Sequence, residues 1–154
     1  MKWCFLLWYF QDVLQIFGEG YFFAPELFLG AVLLLMSSEE YDHPGLIWFS
    51  FLGGVIWDAR WTGFIGMTAG IYAVLATFFS SLWNSMPDTG RNKLLLFAFL
   101  GGSHLAVGIA RCLLEMSLQD TVWVLFLRQQ IVGLPMMYMI ARMAFPREGL
   151  YGAP

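Results

Sequence analysis

Apolar residues run along this chain in long blocks, each closed by a short cluster of glycine, proline or polar residues. The breaks fall at Gly18-Glu19-Gly20, Ser37 to Pro44, Asp58 to Gly63, Asn84 to Lys93 and Met116 to Asp120. Between them lie six apolar segments, 3–17, 21–36, 45–57, 64–83, 94–115 and 121–144, each predicted to be a helix. A helix needs about 20 apolar residues at 1.5 Å each to cross a hydrocarbon core of roughly 30 Å. The first three segments fall short of that. They are expected to thin the bilayer locally, to stretch into their polar flanks or to be shielded by neighbours, and a four-span arrangement with two re-entrant segments is the alternative.

Composition decides which solvent these helices face. Of the 154 residues, 59% are hydrophobic and 12% charged, against roughly 25% charged in soluble domains. So few charges cannot cover the surface of a soluble globule, so the expected fold is an all-α integral membrane domain occupying 1–154 with about six transmembrane helices. The first segment has the length of a signal peptide but no small-residue cleavage site after it, and is read as a retained span. A net charge of -3 and the lack of a basic stripe exclude a nucleic-acid partner, leaving lipid and protein. Cys4 and Cys112 are expected near opposite faces of such a bundle, as small apolar fillers.

With six spans, Lys2, Arg91, Lys93, Arg142 and Arg147 fall on one side and Arg60 alone on the other. The positive-inside rule then predicts both termini in the cytoplasm. Trp3, Trp48 and Trp83 are expected at the inner interface and Trp57, Trp61 and Trp123 at the outer one.

The candidate chemistry lies among the few intramembrane charges. Each costs at least about 2.5 kcal/mol on insertion scales, so each is expected to face the bundle interior and to have a partner. Measured from the span ends, Glu26, Asp58, Arg111, Glu115 and Arg128 all fall toward the outer leaflet, with Asp12 deeper and Gln15, Gln129 and Gln130 at similar levels. Arg111 and Glu115 have the i,i+4 spacing of an intrahelical pair. Arg128 needs another helix, and Asp58 or Glu26 is its expected partner. The cluster serves either to fix helix register or as a ligand or partner site open to the exterior. Gly63, Gly66 and Gly70, running on to Ala73 and Thr77, form a small-residue stripe along which a helix can pack. Pro135 is expected to kink the last helix, and His104, without a second His or Cys beside it, is read as a packed, hydrogen-bonded residue. No phosphate loop, H-E-x-x-H, paired cysteines of metal spacing or Ser-His-Asp set is present, so neither an enzyme nor a cofactor or metal site is expected.

Three local patterns occur in a suggestive order: "LQIFG" closing the first segment, "APELFLGAVLLL" opening the second with Pro25-Glu26-Leu27, and "FLGGVIWDARWTGFIG" joining the third and fourth. In order and span count they resemble the MreD family of rod shape-determining proteins, which has a Gln late in its first helix, Pro-Asp-Leu, and G-x-x-x-D followed by spaced glycines. Arg128 and Pro135 look like the Arg and Pro of that family's last helix. Glu26 stands where Asp is more usual, and "MMYMIAR" after Pro135 lacks the family's Asn. The resemblance implies a non-enzymatic scaffold of cell-wall elongation in the bacterial inner membrane. Its implied partners are MreC, the actin-like MreB, RodA and a class B penicillin-binding protein. It also implies a fold similar to the substrate-binding S-components of energy-coupling factor vitamin transporters, which supplies the second functional reading.

Overall fold

The computed structural model describes residues 2–38, 41–87, 90–115 and 122–144, and among them every regular element is helical. The helices are α1 (Lys2–Gly18), α2 (Leu27–Met36), α3 (His43–Trp57), α4 (Met67–Ser85), α5 (Lys93–Glu115) and α6 (Val122–Ala144). Their order matches the six apolar blocks. Local chemistry explains several boundaries. Asp42 caps α3 by accepting from Gly45 N–H at 3.0 Å, with Pro44 in the first turn where its missing N–H costs nothing. Asn92 does the same for α5, accepting from Leu95 N–H at 2.8 Å.

The second block departs most from expectation. Residues 22–26 form no regular element, and the helix starts only at Leu27. Its 10 residues rise about 15 Å. This short, wholly apolar helix is the axis of the molecule. Leu27, Phe28, Leu29, Ala31, Val32, Leu33 and Met36 are all buried, and α2 touches each of the other five helices. Around it the chain packs as hairpins, α1 with α2, α3 with α4 and α5 with α6.

Among the described residues, two helices rather than the expected six are long and apolar enough to cross a membrane, α5 over Lys93–Leu113 and α6 over Val122–Arg142. The outer faces are nonetheless apolar on α1, α3, α4, α5 and α6: Phe5, Leu52, Phe78, Leu113 and Ile131 are each more than half exposed. Two of the tryptophans expected at interface levels are buried inside the bundle. Trp57 and Trp83 are 1% and 2% exposed, while Trp3, Trp48 and Trp123 are outside. Trp57 lies under Arg111, and Trp83 stacks on Phe79 with ring centroids 5.3 Å apart.

The glycine stripe makes no close contact inside the chain. A methyl group at Gly63, Gly66 or Gly70 would meet nothing within 4 Å, so these residues do not mediate close packing within the chain. Gly63 and Gly66 have φ of +68° and +103°, so they are required by the turn. Close approach is made elsewhere. At Gly54 an added Cβ would lie 2.5 Å from Ala69 Cα, which is how α3 and α4 meet backbone to backbone. Gly53 accommodates the Phe28 ring, and Gly133 on α6 accommodates the His104 imidazole. Pro135 sits on the exposed side of α6, which is helical on both sides of it, and Pro25 is buried in the irregular segment before α2.

Candidate functional site

A non-helical stretch inside a helical bundle has backbone groups with no helical partner, and burial makes each one costly unless a side chain serves it. Residues 22–26 are served from three sides. Gln15 Oε1 accepts from Ala24 N–H at 2.8 Å, and Gln129 Nε2 donates to the Ala24 carbonyl at 3.0 Å. Gln11 Oε1 accepts from Phe28 N–H at 2.9 Å, capping the start of α2, and His104 Nδ1 accepts from Glu26 N–H at 3.4 Å. With Nδ1 accepting, the imidazole proton sits on Nε2 and the ring is neutral. The apolar blocks therefore carry polar residues because one of them begins its helix inside the protein.

Glu26 is the centre of this network and has no exposed surface. Its carboxylate lies at the N-terminus of α2, where the helix dipole favours negative charge. One oxygen accepts from the Tyr72 hydroxyl in a short hydrogen bond and from Gln11 Nε2 at 3.5 Å. The other lies 2.8 Å from Arg111 Nη2. That contact is an ion pair off the hydrogen-bonding direction, and Arg111 Nε has no hydrogen-bond partner among the described residues. The guanidinium also lies 5.2 Å from the centroid of the Trp57 ring, which adds a cation–π attraction in a desolvated setting.

Of the expected cluster, Glu26 and Arg111 meet, with Gln15 and Gln129 in the same network. Arg128 does not join them. It is exposed on α6, and its Nη1 donates to the Tyr21 carbonyl at 3.0 Å, so neither Glu26 nor Asp58 is its partner. The reason is angular: Gln129 and Gln130 hold the inward positions of that turn and leave Arg128 pointing out. The side chain of Glu115, and with it the proposed i,i+4 pair with Arg111, lies outside the described residues.

Asp58 forms a separate site. It ends α3 at a π-helical turn, Asp58–Thr62, and its carboxylate reaches across to the start of α4. It accepts from Gly66 N–H at 2.9 Å, Thr68 N–H at 3.1 Å, Ala69 N–H at 3.3 Å and the Thr62 hydroxyl at 2.9 Å. Met67 N–H reaches the Phe64 carbonyl at 3.4 Å. The N–H groups that a helix start leaves free are thus bonded by one buried carboxylate and one turn carbonyl. Arg60 instead faces α1, with Nε 2.9 Å from Asp12 Oδ1, the same atom to which Trp61 Nε1 donates at 2.9 Å. The acid and base of "WDARW" therefore have different targets, which their spacing does not reveal.

Space beside these groups is limited. A cleft lined by Gln15, Phe23, Trp57, Trp61, Thr62 and Arg111 has a volume of about 50 Å³. That admits a few waters. Drug-sized ligands occupy pockets of roughly 300–1,000 Å³. The described residues contain no cluster of three His, Cys, Asp or Glu side chains able to hold a metal. Chemically, this arrangement neutralises a buried acid and fixes helix ends.

The fold and site define an all-helical bundle organised around a buried acid–base pair. No family model, no curated protein and no solved structure matches this chain.

Proposed function

We propose that this chain is a multi-pass membrane scaffold of the bacterial cell-shape machinery, with its six helices embedded in the inner membrane and a single-span MreC-like protein as its partner. The observation that carries the scaffold reading is the filled site. The groups that a solute-binding protein would turn toward its ligand are instead spent on the chain's own backbone and on each other. Gln11, Gln15, His104 and Gln129 serve residues 24–28, and Arg111 serves Glu26.

The membrane setting is supported by the apolar outer faces of five helices and by α5 and α6 as candidate spans. It also accounts for the burial of the irregular segment 22–26. In hydrocarbon, irregular backbone is tolerated only where protein surrounds it, and half-length helices starting near mid-depth are a recurring device of membrane bundles. The resemblance to the MreD family supplies the partner and the pathway. Its motif residues have structural work in this chain: Gln15 holds Ala24, Glu26 centres the network and Asp58 caps α4.

A vitamin-binding S-component is the second reading, favoured by the cleft beside Arg111 with its two tryptophans. The cleft's small volume weighs against it. Purification of the tagged protein in mild detergent from its native host, with mass spectrometry of what stays bound, tests both. Recovery of a single-span MreC-like protein is the expected result. Recovery of a membrane coupling protein with paired ATPases would replace the scaffold by the transporter subunit.

A further inference from the structure

The turn joining α3 to α4 has a tip that does not suit water. Phe64 and Ile65 are 79% and 73% exposed, among the most exposed large apolar residues of the protein. They stand between Gly63 and Gly66, whose positive φ values turn the chain in and out of the tip. The apolar exteriors of Leu52 and Ile56 on α3 and of Val74 and Phe78 on α4 lead up to it.

Two further observations indicate what surrounds the tip. Behind it, the N–H groups at the start of α4 are bonded internally by Asp58 and the Phe64 carbonyl, so the turn can enter hydrocarbon without bringing unpaired backbone donors with it. The length of the hairpin fits as well. The helix that begins at His43 runs on through the π-helical turn to Thr62, and the 19 residues of α4 alone rise about 28 Å, close to a hydrocarbon core of roughly 30 Å. With the polar end at Asp42, His43, Asn84 and Arg91 held at one interface, the tip comes to about the level where the acyl chains of the opposite leaflet meet their headgroups. Arg60 and Trp61 stand just before the tip. Arg60 is about half exposed while bound to Asp12, and can extend its free nitrogens toward lipid phosphates; Trp61 suits the same level.

We propose that the Gly63–Gly66 turn is a lipid-inserted tip, with Phe64 and Ile65 among the acyl chains of the outer leaflet and Arg60 taking the phosphate above them. The inference rests on the membrane reading given above.

Site-directed spin labelling of the full chain tests it. The protein, with Cys4→Ala and Cys112→Ala, is reconstituted into vesicles of phosphatidylethanolamine and phosphatidylglycerol. Labels are placed one at a time at Phe64→Cys, Ile65→Cys, Phe78→Cys and Glu19→Cys. Phe78 reports the apolar side of α4, and Glu19 an exposed polar turn at the same end as the tip. Collision with oxygen relative to a water-soluble nickel chelate is measured at each. The expected result is a ratio at both tip labels that matches Phe78→Cys and exceeds Glu19→Cys several-fold. Tip labels that meet the chelate like Glu19→Cys, while Phe78→Cys stays in lipid, overturn the insertion and leave the membrane reading intact. Tip labels shielded from both reagents overturn it in favour of a contact between copies. Chelate access at Phe78→Cys as well removes the membrane reading itself.

Discussion

Arg111 and Arg128 carry the same side chain and differ in everything that sets its energetic weight. Arg111 is 4% exposed and faces Glu26, whereas Arg128 is on the outside and bonds a carbonyl of the preceding turn region. Removing one member of a buried pair strands the other charge, at a cost of about 3–5 kcal/mol. Arg111→Met is therefore expected to destabilise the protein by about that amount in thermal unfolding in detergent, and Arg128→Ala by no more than about 0.5 kcal/mol, as for an ordinary surface position. Glu26→Gln combined with Arg111→Met should cost less than the sum of the two. Equal losses at the two arginines would sink this assignment. At Asp58 the carboxylate bonds three backbone N–H groups and one hydroxyl. Asp58→Ala should cost about 2–3 kcal/mol, with Asp58→Asn between it and the native protein. A neutral Asp58→Ala would mean that water reaches the start of α4. That these positions are special was legible from charges set in apolar blocks. Which base meets Glu26 was not, because one residue along a helix rotates a side chain by about 100°, and Gln129 took the inward place.

Among the helices, small residues were legible as packing devices but not their sites. Spacing pointed to Gly63, Gly66 and Gly70, whereas the backbones of α3 and α4 meet at Gly54 against Ala69. Gly54→Ala is expected to overpack that crossing and destabilise by about 1–3 kcal/mol. Gly70→Ala meets open space within a helix and should be neutral or stabilising by up to about 1 kcal/mol. Parallel melting of the two variants decides between the two placements, and the reverse order would restore the stripe. Gly66 fails for another reason: its φ of +103° is one that side chains seldom adopt, so any substitution there strains the turn. The breaks between apolar blocks, by contrast, anticipated all six helices, because glycine, proline and capping residues act through the local chain. The exception is the start of α2. "YFFAPEL" belongs to an apolar block, yet its Pro25 biases the preceding residue away from helix; what the local chain does not show is that Gln11, Gln15, His104 and Gln129 arrive from other helices to serve its backbone.

For the molecule as a whole, the membrane reading makes an orientation prediction. Basic residues cluster at Lys2, Arg91, Lys93, Arg142 and Arg147, with Arg60 opposite. Reporters of cytoplasmic and exported location, fused in turn to each terminus, should both read cytoplasmic. A split result would remove one span from the six. The architecture gives α2 the role that a hydrophobic core plays elsewhere: a short apolar rod touched by every other helix. In lipid the hydrophobic effect does not distinguish a neighbouring helix from an acyl chain, so close packing and internal hydrogen bonds hold such a bundle together. The buried network around Glu26 and the glycine contacts at Gly53, Gly54 and Gly133 fit that requirement.

By itself the sequence determined the helical class, the number and order of the helices, most of their ends and the shortage of charge. Each of these depends on residues close together in the chain or on composition. Only the tertiary structure decided that Glu26 pairs with Arg111, that Asp58 caps α4 while Arg60 turns to Asp12, and that the buried backbone before α2 is served by side chains of other helices. These outcomes depend on which faces of different helices meet. A hydrogen bond or ion pair is directional and short-ranged, so it is settled by angles and distances between elements that linear spacing does not contain.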